Sequence, residues 1–315
     1  MPVQPPFDFS ASPGFVWNGV GALRVTALTD LHVAEKTEAS TRKYFRSLFK
    51  LRDVVAELSP LAPHFTAVLG DWVDGNETSP EDAYTERVAL THLDELPGPR
   101  YGVIGNHDCY VPDSRKSSLV ATYDLPNSYY TFATNGLRFI FLDAMIGLPE
   151  RYETGSDEAL EAEAARVAYF AERDGNPSFP LYGSASGNGA FGAAQLAWLV
   201  EWLAYASAEG EKVIIFSHTP CWPDTGAVTK NAWDADDMVA AVREYDDVVV
   251  AWISGHRHAD DYHFDTASKA HFISLPALVE GSTRNYGLIS FTAAGGIVVT
   301  GYGTTTSRTL TPFTP

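Results

Sequence analysis

Short apolar runs that end in polar, chemically rich residues recur along this chain. Val25–Leu28, Phe65–Leu69, Tyr101–Ile104, Lys212–Phe216 and Val248–Ile253 are continuous enough in hydrophobicity to read as strands buried on both faces. Between the first two, Tyr44, Phe45, Leu48, Leu51, Val54, Val55 and Leu58 recur at helical spacing, which predicts a helix over Thr41–Leu58 that Ser59-Pro60 stops. A further helix is predicted near Pro80–Leu93, broken by Pro97-Gly98-Pro99. This βαβα order predicts a mostly parallel arrangement with helices outside it.

The middle of the chain changes character. Tyr129–Thr134 and Leu137–Asp143 flank Asn135-Gly136, a strong hairpin signal. Glu158–Arg173 reads as an acidic, alanine-rich helix, Gly183–Gly192 as a loop of small residues, and Gly192–Ala208 as a helix carrying Leu196, Leu199, Trp202 and Leu203. A helix around Asp234–Tyr245 separates the last two of the five apolar runs. The end reads as all-β: Ala270–Ser274, Tyr286–Thr292 and Ile297–Tyr302, with Ala294-Gly295-Gly296 as a turn. Residues 1–18 are rich in Pro, Ser and aromatics and read as an extended arm, leaving 19–315 as a single domain without repeats or long linkers. The predicted fold class is α/β, a four-layer α/β/β/α sandwich of two mixed sheets flanked by helices.

Charge narrows the range of partners. With 22 Lys and Arg against 40 Asp and Glu, the net charge is −18, which argues against a nucleic acid polymer or an anionic membrane surface. A protein this acidic that handles phosphates must supply positive charge locally, and a pair of divalent cations would do so. No run approaches the roughly 18 apolar residues of a spanning helix, so membrane insertion is not expected. The N-terminus Met1-Pro2-Val3-Gln4-Pro5-Pro6 lacks the basic and apolar regions of a secretory signal, giving a cytoplasmic expectation. Cys109 and Cys221 read as free thiols of a reducing compartment, and each lies within three residues of a candidate metal ligand.

The polar ends of the apolar runs carry the chemistry. Asp30-Leu31-His32, Gly70-Asp71-Trp72-Val73-Asp74, Gly105-Asn106-His107-Asp108, Ser217-His218-Thr219-Pro220 and Gly255-His256-Arg257-His258 each follow a predicted strand. Five strand ends that each deliver His, Asp or Asn are hard to explain by packing and easily explained by one metal centre at the carboxyl edge of a sheet. A dinuclear site for phosphoester hydrolysis needs a carboxylate that bridges two ions, and neutral imidazoles each held by an acceptor. Asp30 and His32, alternating at a strand end, are expected to point the same way and reach one ion. Asp71, directly after Gly70, can leave its strand sharply and bridge. Asn106 offers a neutral carbonyl oxygen to the second ion, His218 and His256 supply it with nitrogen, and His258 returns to the first.

These blocks resemble the calcineurin-like metallophosphoesterase superfamily, whose pattern runs D-x-H, G-D-x-x-D, G-N-H-D/E, H and G-H-x-H. All five occur here in order between residues 30 and 258. The resemblance implies that Asp30, His32, Asp71 and His258 hold one metal, and Asp71, Asn106, His218 and His256 the other. It implies that His107 faces the leaving-group oxygen as general acid with Asp74 orienting it, and that a hydroxide bridging the metals is the nucleophile. The cofactor implied is two divalent or trivalent ions, with manganese, iron and zinc all compatible with a mixed N/O ligand set. A nearer likeness is to the manganese-dependent ADP-ribose/CDP-alcohol diphosphatase branch. It is carried by Thr41-Arg42-Lys43-Tyr44-Phe45-Arg46-Ser47-Leu48, by Asn188-Gly189-Ala190-Phe191 before Gln195-Leu196-Ala197-Trp198-Leu199, and by Gly255–Tyr262 through Val279-Glu280-Gly281, and it runs from about residue 22 to 303. One position departs, since animal members of that branch carry Gln where this chain has His32.

That branch implies a small phosphorylated, nucleotide-like substrate of the ADP-ribose or CDP-alcohol type. The alternatives are a cyclic-nucleotide or glycerophosphodiester phosphodiesterase, a broad phosphomonoesterase and, more remotely, a non-catalytic metal-bearing scaffold. Asn106, His107, Tyr110 and Trp222 are the candidate substrate contacts, with Trp72 a further aromatic that could stack on a base. Packing or surface roles are the plainer readings for His64, His92, His263 and His271. Asp108 reads as an acceptor behind the ligands, Asp143 as a turn cap, and Arg257 as facing away between two ligating histidines. Arg46 is open between supporting the site and an ordinary surface charge. Oligomeric state is not legible.

Overall fold

The computed structural model describes residues 21–75, 89–173, 187–222, 230–292 and 294–310. Among the described residues, twelve strands form two six-stranded mixed sheets. The first runs β12 (Arg308–Leu310), β11 (Ile297–Tyr302), β10 (Tyr286–Thr292), β1 (Ala22–Leu28), β2 (Phe65–Leu69), β3 (Arg100–Val103). The second runs β4 (Tyr130–Thr134), β5 (Leu137–Leu142), β6 (Lys212–Ser217), β7 (Val249–Ser254), β9 (Ala270–Ser274), β8 (Asp261–Asp265). In the first sheet the parallel strands β1, β2 and β3 run out to one edge and meet antiparallel β10 on the other side; in the second, parallel β5, β6, β7 and β9 are flanked by antiparallel β4 and β8.

Strand periodicity explains the layering. Along β6, Ile214 and Phe216 belong to one apolar cluster while Val213 and Ile215 belong to another; β5 divides the same way, Phe139 and Phe141 against Ile140 and Leu142. The first cluster lies between the sheets, where Val25, Ala27, Phe65 and Ala67 meet Phe139, Phe141 and Phe216. Phe65 packs edge-on against Phe139 with centroids 5.0 Å apart. The second cluster joins outer sheet faces to helices: Leu51, Val54 and Leu58 of Tyr44–Leu58, Leu199, Trp202 and Leu203 of Gly192–Glu209, and Met238 and Val242 of Ala235–Glu244. Strands apolar on both faces are therefore what a four-layer sandwich requires, and the predicted fold class is the one observed.

Asn135 and Gly136 both adopt left-handed backbone, φ 47° and 79°, between the paired residues Thr134 and Leu137, as the hairpin signal predicts. Two strands escape the sequence pattern. Asp261–Asp265 is too polar to read as a strand, yet pairs antiparallel with β9, and Arg308–Leu310 is only three residues long at a sheet edge. The arm predicted over residues 1–18 lies outside the described residues, as do most of the Pro80–Leu93 helix (89–93 is helical) and the first part of the 183–192 loop. Among the described residues no helix is long and apolar enough to cross a membrane.

Candidate metal centre

The five motif segments meet at the carboxyl ends of β1, β2 and β3 from one sheet and β6 and β7 from the other. Asp30 and His32 do not reach the site by strand alternation, as the sequence suggested. Both lie beyond β1 in the left-handed region, with φ of 52° and 43°. Asp71, His256 and His258 share that conformation, at 52°, 64° and 57°. A non-glycine residue in this region costs about 1–3 kcal/mol where the surroundings must hold it there. Five such residues around one point is the backbone signature of this site.

Neighbouring turns supply the restraint. The β1 and β2 loops are zipped together, Asp30 N donating to Gly70 O at 3.1 Å and His32 N to Asp71 O at 2.9 Å. Asp108 clamps the second and third motifs: its carboxylate accepts from the backbone N–H of Asp71, Trp72, Val73 and Gly105 and from the Tyr123 hydroxyl, at 2.8–3.3 Å. It is an acceptor behind the cluster, as read from the sequence. Two motif glycines are fixed by close approach. A Cβ on Gly105 would strike the Asp71 backbone and carboxylate, and one on Gly255 would strike Thr29 and Asp30.

The side chains so placed converge. Asp71 Oδ2 lies 3.3 Å from His32 Nε2 and 3.4 Å from His218 Nε2, so a single oxygen faces both halves of the cluster. On one side His258 Nε2 is 3.2 Å from both His32 Nε2 and Asp30 Oδ1. On the other, His218 Nε2 is 3.2 Å from both Asn106 Oδ1 and His256 Nδ1. The opposite nitrogen of every imidazole faces an acceptor: His32 Nδ1 meets Asp74 Oδ1 at 2.9 Å, His218 Nδ1 meets Leu69 O at 2.7 Å, His256 Nε2 meets Asn188 Oδ1 at 2.9 Å, and His258 Nδ1 meets Glu280 Oε1 at 2.8 Å. That arrangement fixes each tautomer and leaves one lone pair per ring pointing inward.

His107 stands apart. Its Nδ1 meets Asp74 Oδ1 at 2.6 Å, the same oxygen that holds His32, and it is 24 % exposed where the cluster histidines His32 and His218 are fully buried. Lys36 Nζ secures the other oxygen of Asp74 at 2.8 Å and the Asp74 carbonyl at 2.6 Å.

The model of the calcineurin-like phosphoesterase family matches residues 23–260. The chain belongs to that family. Among its curated relatives is the manganese-dependent ADP-ribose/CDP-alcohol diphosphatase of Oryza sativa, 29 % identical over 231 residues that make up 69 % of each chain. The human protein of the same name is 24 % identical over 288 residues, 82 % of each. Among solved structures, a dimetal phosphatase from Danio rerio superposes with a TM-score of 0.79 at 22 % identity, covering 93 % of this chain and 99 % of that one, and so shares its fold.

The electrostatics of this phosphoesterase cluster demand cations. Burial lowers the pKa of His32, but Asp71, Asp30 and Asp74 outweigh it and lift it to about 10; His218 is lifted to about 9 against burial, chiefly by Asp71. The carboxylates therefore draw protons onto buried rings, and metal ions would take those protons' place. Asp30 Oδ1 is buried and accepts no aligned hydrogen bond among the described residues, although imidazole nitrogens lie 3.2 and 3.6 Å away. An orphaned carboxylate oxygen among inward-facing nitrogens fits a cation between them.

Other sequence candidates resolve by their contacts. Trp72 is fully buried, donates Nε1 to Val103 O at 2.8 Å and stacks on Tyr123 at 4.9 Å, so it is core and not a base platform. Trp222 is buried beneath the Arg257 guanidinium, 5.1 Å from its ring, while Arg257 turns to Asp261 at 2.6 Å. Tyr110, partly exposed, meets His107 edge-on at 5.7 Å. Asp143 caps the turn Ala144–Gly147, accepting from Met145 N. Arg46 is a surface charge paired with Glu38 at 3.1 Å. His64, His92 and His271 lie on Arg24, Glu95 and Tyr262, and His263 neighbours Trp222. Cys109 and Cys221 are buried free thiols whose pKa burial pushes well up. Sequence reasoning did not single out Lys36, Asn188 or Glu280 as site residues. The latter two stood in segments that matched the diphosphatase branch, and that was the only available signal.

Proposed function

We propose that this phosphoesterase hydrolyses a phosphoanhydride or phosphodiester in a small nucleotide-like molecule, with ADP-ribose and CDP-alcohols as first candidates. The observation that carries it is the single Asp71 oxygen facing nitrogens of both halves of the cluster. Asp30, His32, Asp71 and His258 would hold one metal ion; Asp71, Asn106, His218 and His256 would hold the other. Manganese, iron and zinc all suit these donors, and the diphosphatase relatives are named for manganese. Bound there, two cations supply Lewis acidity toward phosphate oxygens and make a bound water acidic enough to act as nucleophile near neutral pH.

The protein's own groups do the rest. Asp74 engages His107 Nδ1, which leaves Nε2 as the atom that hands a proton to the departing oxygen. Lys36 keeps Asp74 from rotating away, and the shared Oδ1 ties the acid's orientation to that of His32. Asn106, neutral, keeps the second half of the cluster less negative than the first, so a doubly charged phosphate is repelled less there. Tyr110, partly exposed beside His107, is the aromatic available to a substrate, and Trp222 would act through the Arg257 guanidinium that covers it. The surface charge of −18 fits a small anionic substrate drawn in by metal rather than a nucleic acid polymer, and the two buried free thiols fit a cytoplasmic setting.

The test is turnover of ADP-ribose, CDP-choline, a cyclic nucleotide and p-nitrophenyl phosphate by manganese-loaded protein, with metal analysis of the protein as purified. The expected result is preferential cleavage of the two diphosphates. Hydrolysis of the monoester alone would end the diphosphatase assignment, and turnover indifferent to strong chelators would end the metal assignment.

A further inference from the structure

Lys50 lies on the buried face of the helix Tyr44–Leu58, an ammonium among the uncharged Ser47, Leu51 and Val54. Its Nζ donates to three backbone carbonyls, those of Leu278, Glu280 and Gly281, the last two at 3.2 and 3.3 Å. No carboxylate forms an ion pair with it among the described residues. Burial draws its pKa down to about 8 against the pull of the Glu280 carboxylate, which is spent on His258 instead. A charge held in this way costs free energy. Helix packing alone does not call for it, since an apolar side chain would cover the same face.

The segment that Lys50 grips touches the metal cluster twice. Glu280 presents Oε1 to His258 Nδ1 at 2.8 Å. Leu278 N donates to Thr29 O and Val279 N to Asp30 O, each at 3.0 Å. Val279 O accepts from Lys43 N at 2.9 Å, so all four carbonyls from Leu278 to Gly281 are taken by Lys43 and Lys50. Asp30 and His258, 3.2 Å apart, belong to the same half of the cluster. None of the three Lys50 bonds runs to Asn106, His218 or His256, which frame the other half. A glutamate side chain can hold an imidazole only if its own backbone is held. Charge-assisted bonds to the carbonyls of Leu278, Glu280 and Gly281 supply that restraint.

We propose that Lys50 is a positioning residue for the metal centre: by fixing the backbone of 278–281 it sets Glu280 against His258, and so governs how tightly the ion of the Asp30 and His258 half is bound. The proposal rests on the two-metal reading above and adds a residue to it. Lys50 touches neither metal ligand nor substrate, and its effect reaches the site through Glu280.

The experiment is stepwise titration of metal-free protein with manganese, in the wild type, Lys50→Met, Glu280→Gln and the double variant, with amide hydrogen exchange of the metal-free proteins beside it. The step that Glu280→Gln weakens marks the His258 side. Lys50→Met is expected to weaken that same step by about tenfold, the lower end of what lost support behind a ligating imidazole costs, and to leave the other step unchanged. The double variant should lose no more than the larger single loss, because both changes act through one contact. Exchange at the Leu278 and Val279 amides should quicken in Lys50→Met. Lys50→Gln, which keeps two donors on a shorter neutral arm, should show the same pattern with a smaller loss, and it serves where the apolar variant does not fold. An unchanged step, equal losses at both steps, losses that multiply in the double variant, or unaltered exchange would each overturn the proposal. A wild type that binds no manganese would defeat the metal reading instead, and quickened exchange at Leu278 and Val279 would then still identify Lys50 as the anchor of Glu280.

Discussion

The two sheets bring different chemistry to the same point. The first delivers carboxylates and an amide oxygen, in Asp30, Asp71 and Asn106, with His32 among them; the second delivers only imidazoles, His218, His256 and His258. Their support differs as well. The first sheet's turns hold one another, through the Asp108 clamp and the paired β1 and β2 loops. The second sheet's rings lean on distant groups: Leu69 of β2, Asn188 before the helix Gly192–Glu209, and Glu280 after β9. Charge is fixed locally on one side, and orientation comes from elsewhere on the other. Damage to the first sheet should therefore remove metal outright, and damage to the second sheet's acceptors should loosen it one ion at a time.

The largest effect tests the first half. Asp71→Asn keeps the shape but removes the charge of the shared oxygen, so both metals should be lost and turnover should fall to background. Metal content by mass spectrometry checks this, and a variant that keeps one full equivalent would show that Asp71 does not serve both sides. His107→Asn lies on the same sheet but outside the cluster. It should retain both metals and lose about 10²–10⁴ in kcat, more on poor leaving groups than on p-nitrophenyl phosphate. Loss of metal in this variant would move His107 into the ligand set.

Glu280→Gln and Asn188→Leu examine the second half. Removing the acceptor behind a ligating imidazole typically costs about 10–100-fold in metal affinity. Glu280→Gln should weaken only the ion on the His258 side, and Asn188→Leu only that on the His256 side. Stepwise titration with manganese of the metal-free protein separates them. Equal loss at both ions in either variant would mean that the two halves are not independent, and the contrast between the sheets would fail.

The same contrast governs what could be read from sequence. The candidate ligands were legible because each stands just after an apolar run, and the fold was legible because those runs are apolar on both faces. Residues that work at a distance in the chain were not. Glu280 serves a histidine 22 positions away and Asn188 one 68 positions away, spacings that carry no periodicity. The left-handed backbone at Asp30, His32, Asp71, His256 and His258 was hidden too, since none of them is glycine and the strain is imposed by neighbours. Base stacking stayed open for Trp72 because its motif neighbours point into the site, but a residue between Asp71 and Val73 at a sharp turn is thrown into the core beneath. Asp261–Asp265 was missed because its pairing comes from the backbone ladder with β9 rather than from side-chain burial.

Far from the metals, the second sheet holds its charges in closed pairs, and there the expected effect is smallest. Asp265, at the end of β8, accepts from Arg243 at 3.0 and 3.1 Å and from Ser268 at 2.7 Å. Burial raises its pKa, but those hydrogen bonds outweigh it and bring it to about 2, below the roughly 3.9 of an unfolded aspartate. The folded state thus favours the ionised form, so its contribution is complete above about pH 4 and disappears as pH falls toward 2. Asp265→Asn should lower Tm modestly at neutral pH, and the gap from wild type should close on acidification through that window. Manganese content should not change. A gap that persists at pH 2 would assign the loss to packing rather than charge, and one accompanied by metal loss would show that the far edge of the second sheet is coupled to the ligands at its other end.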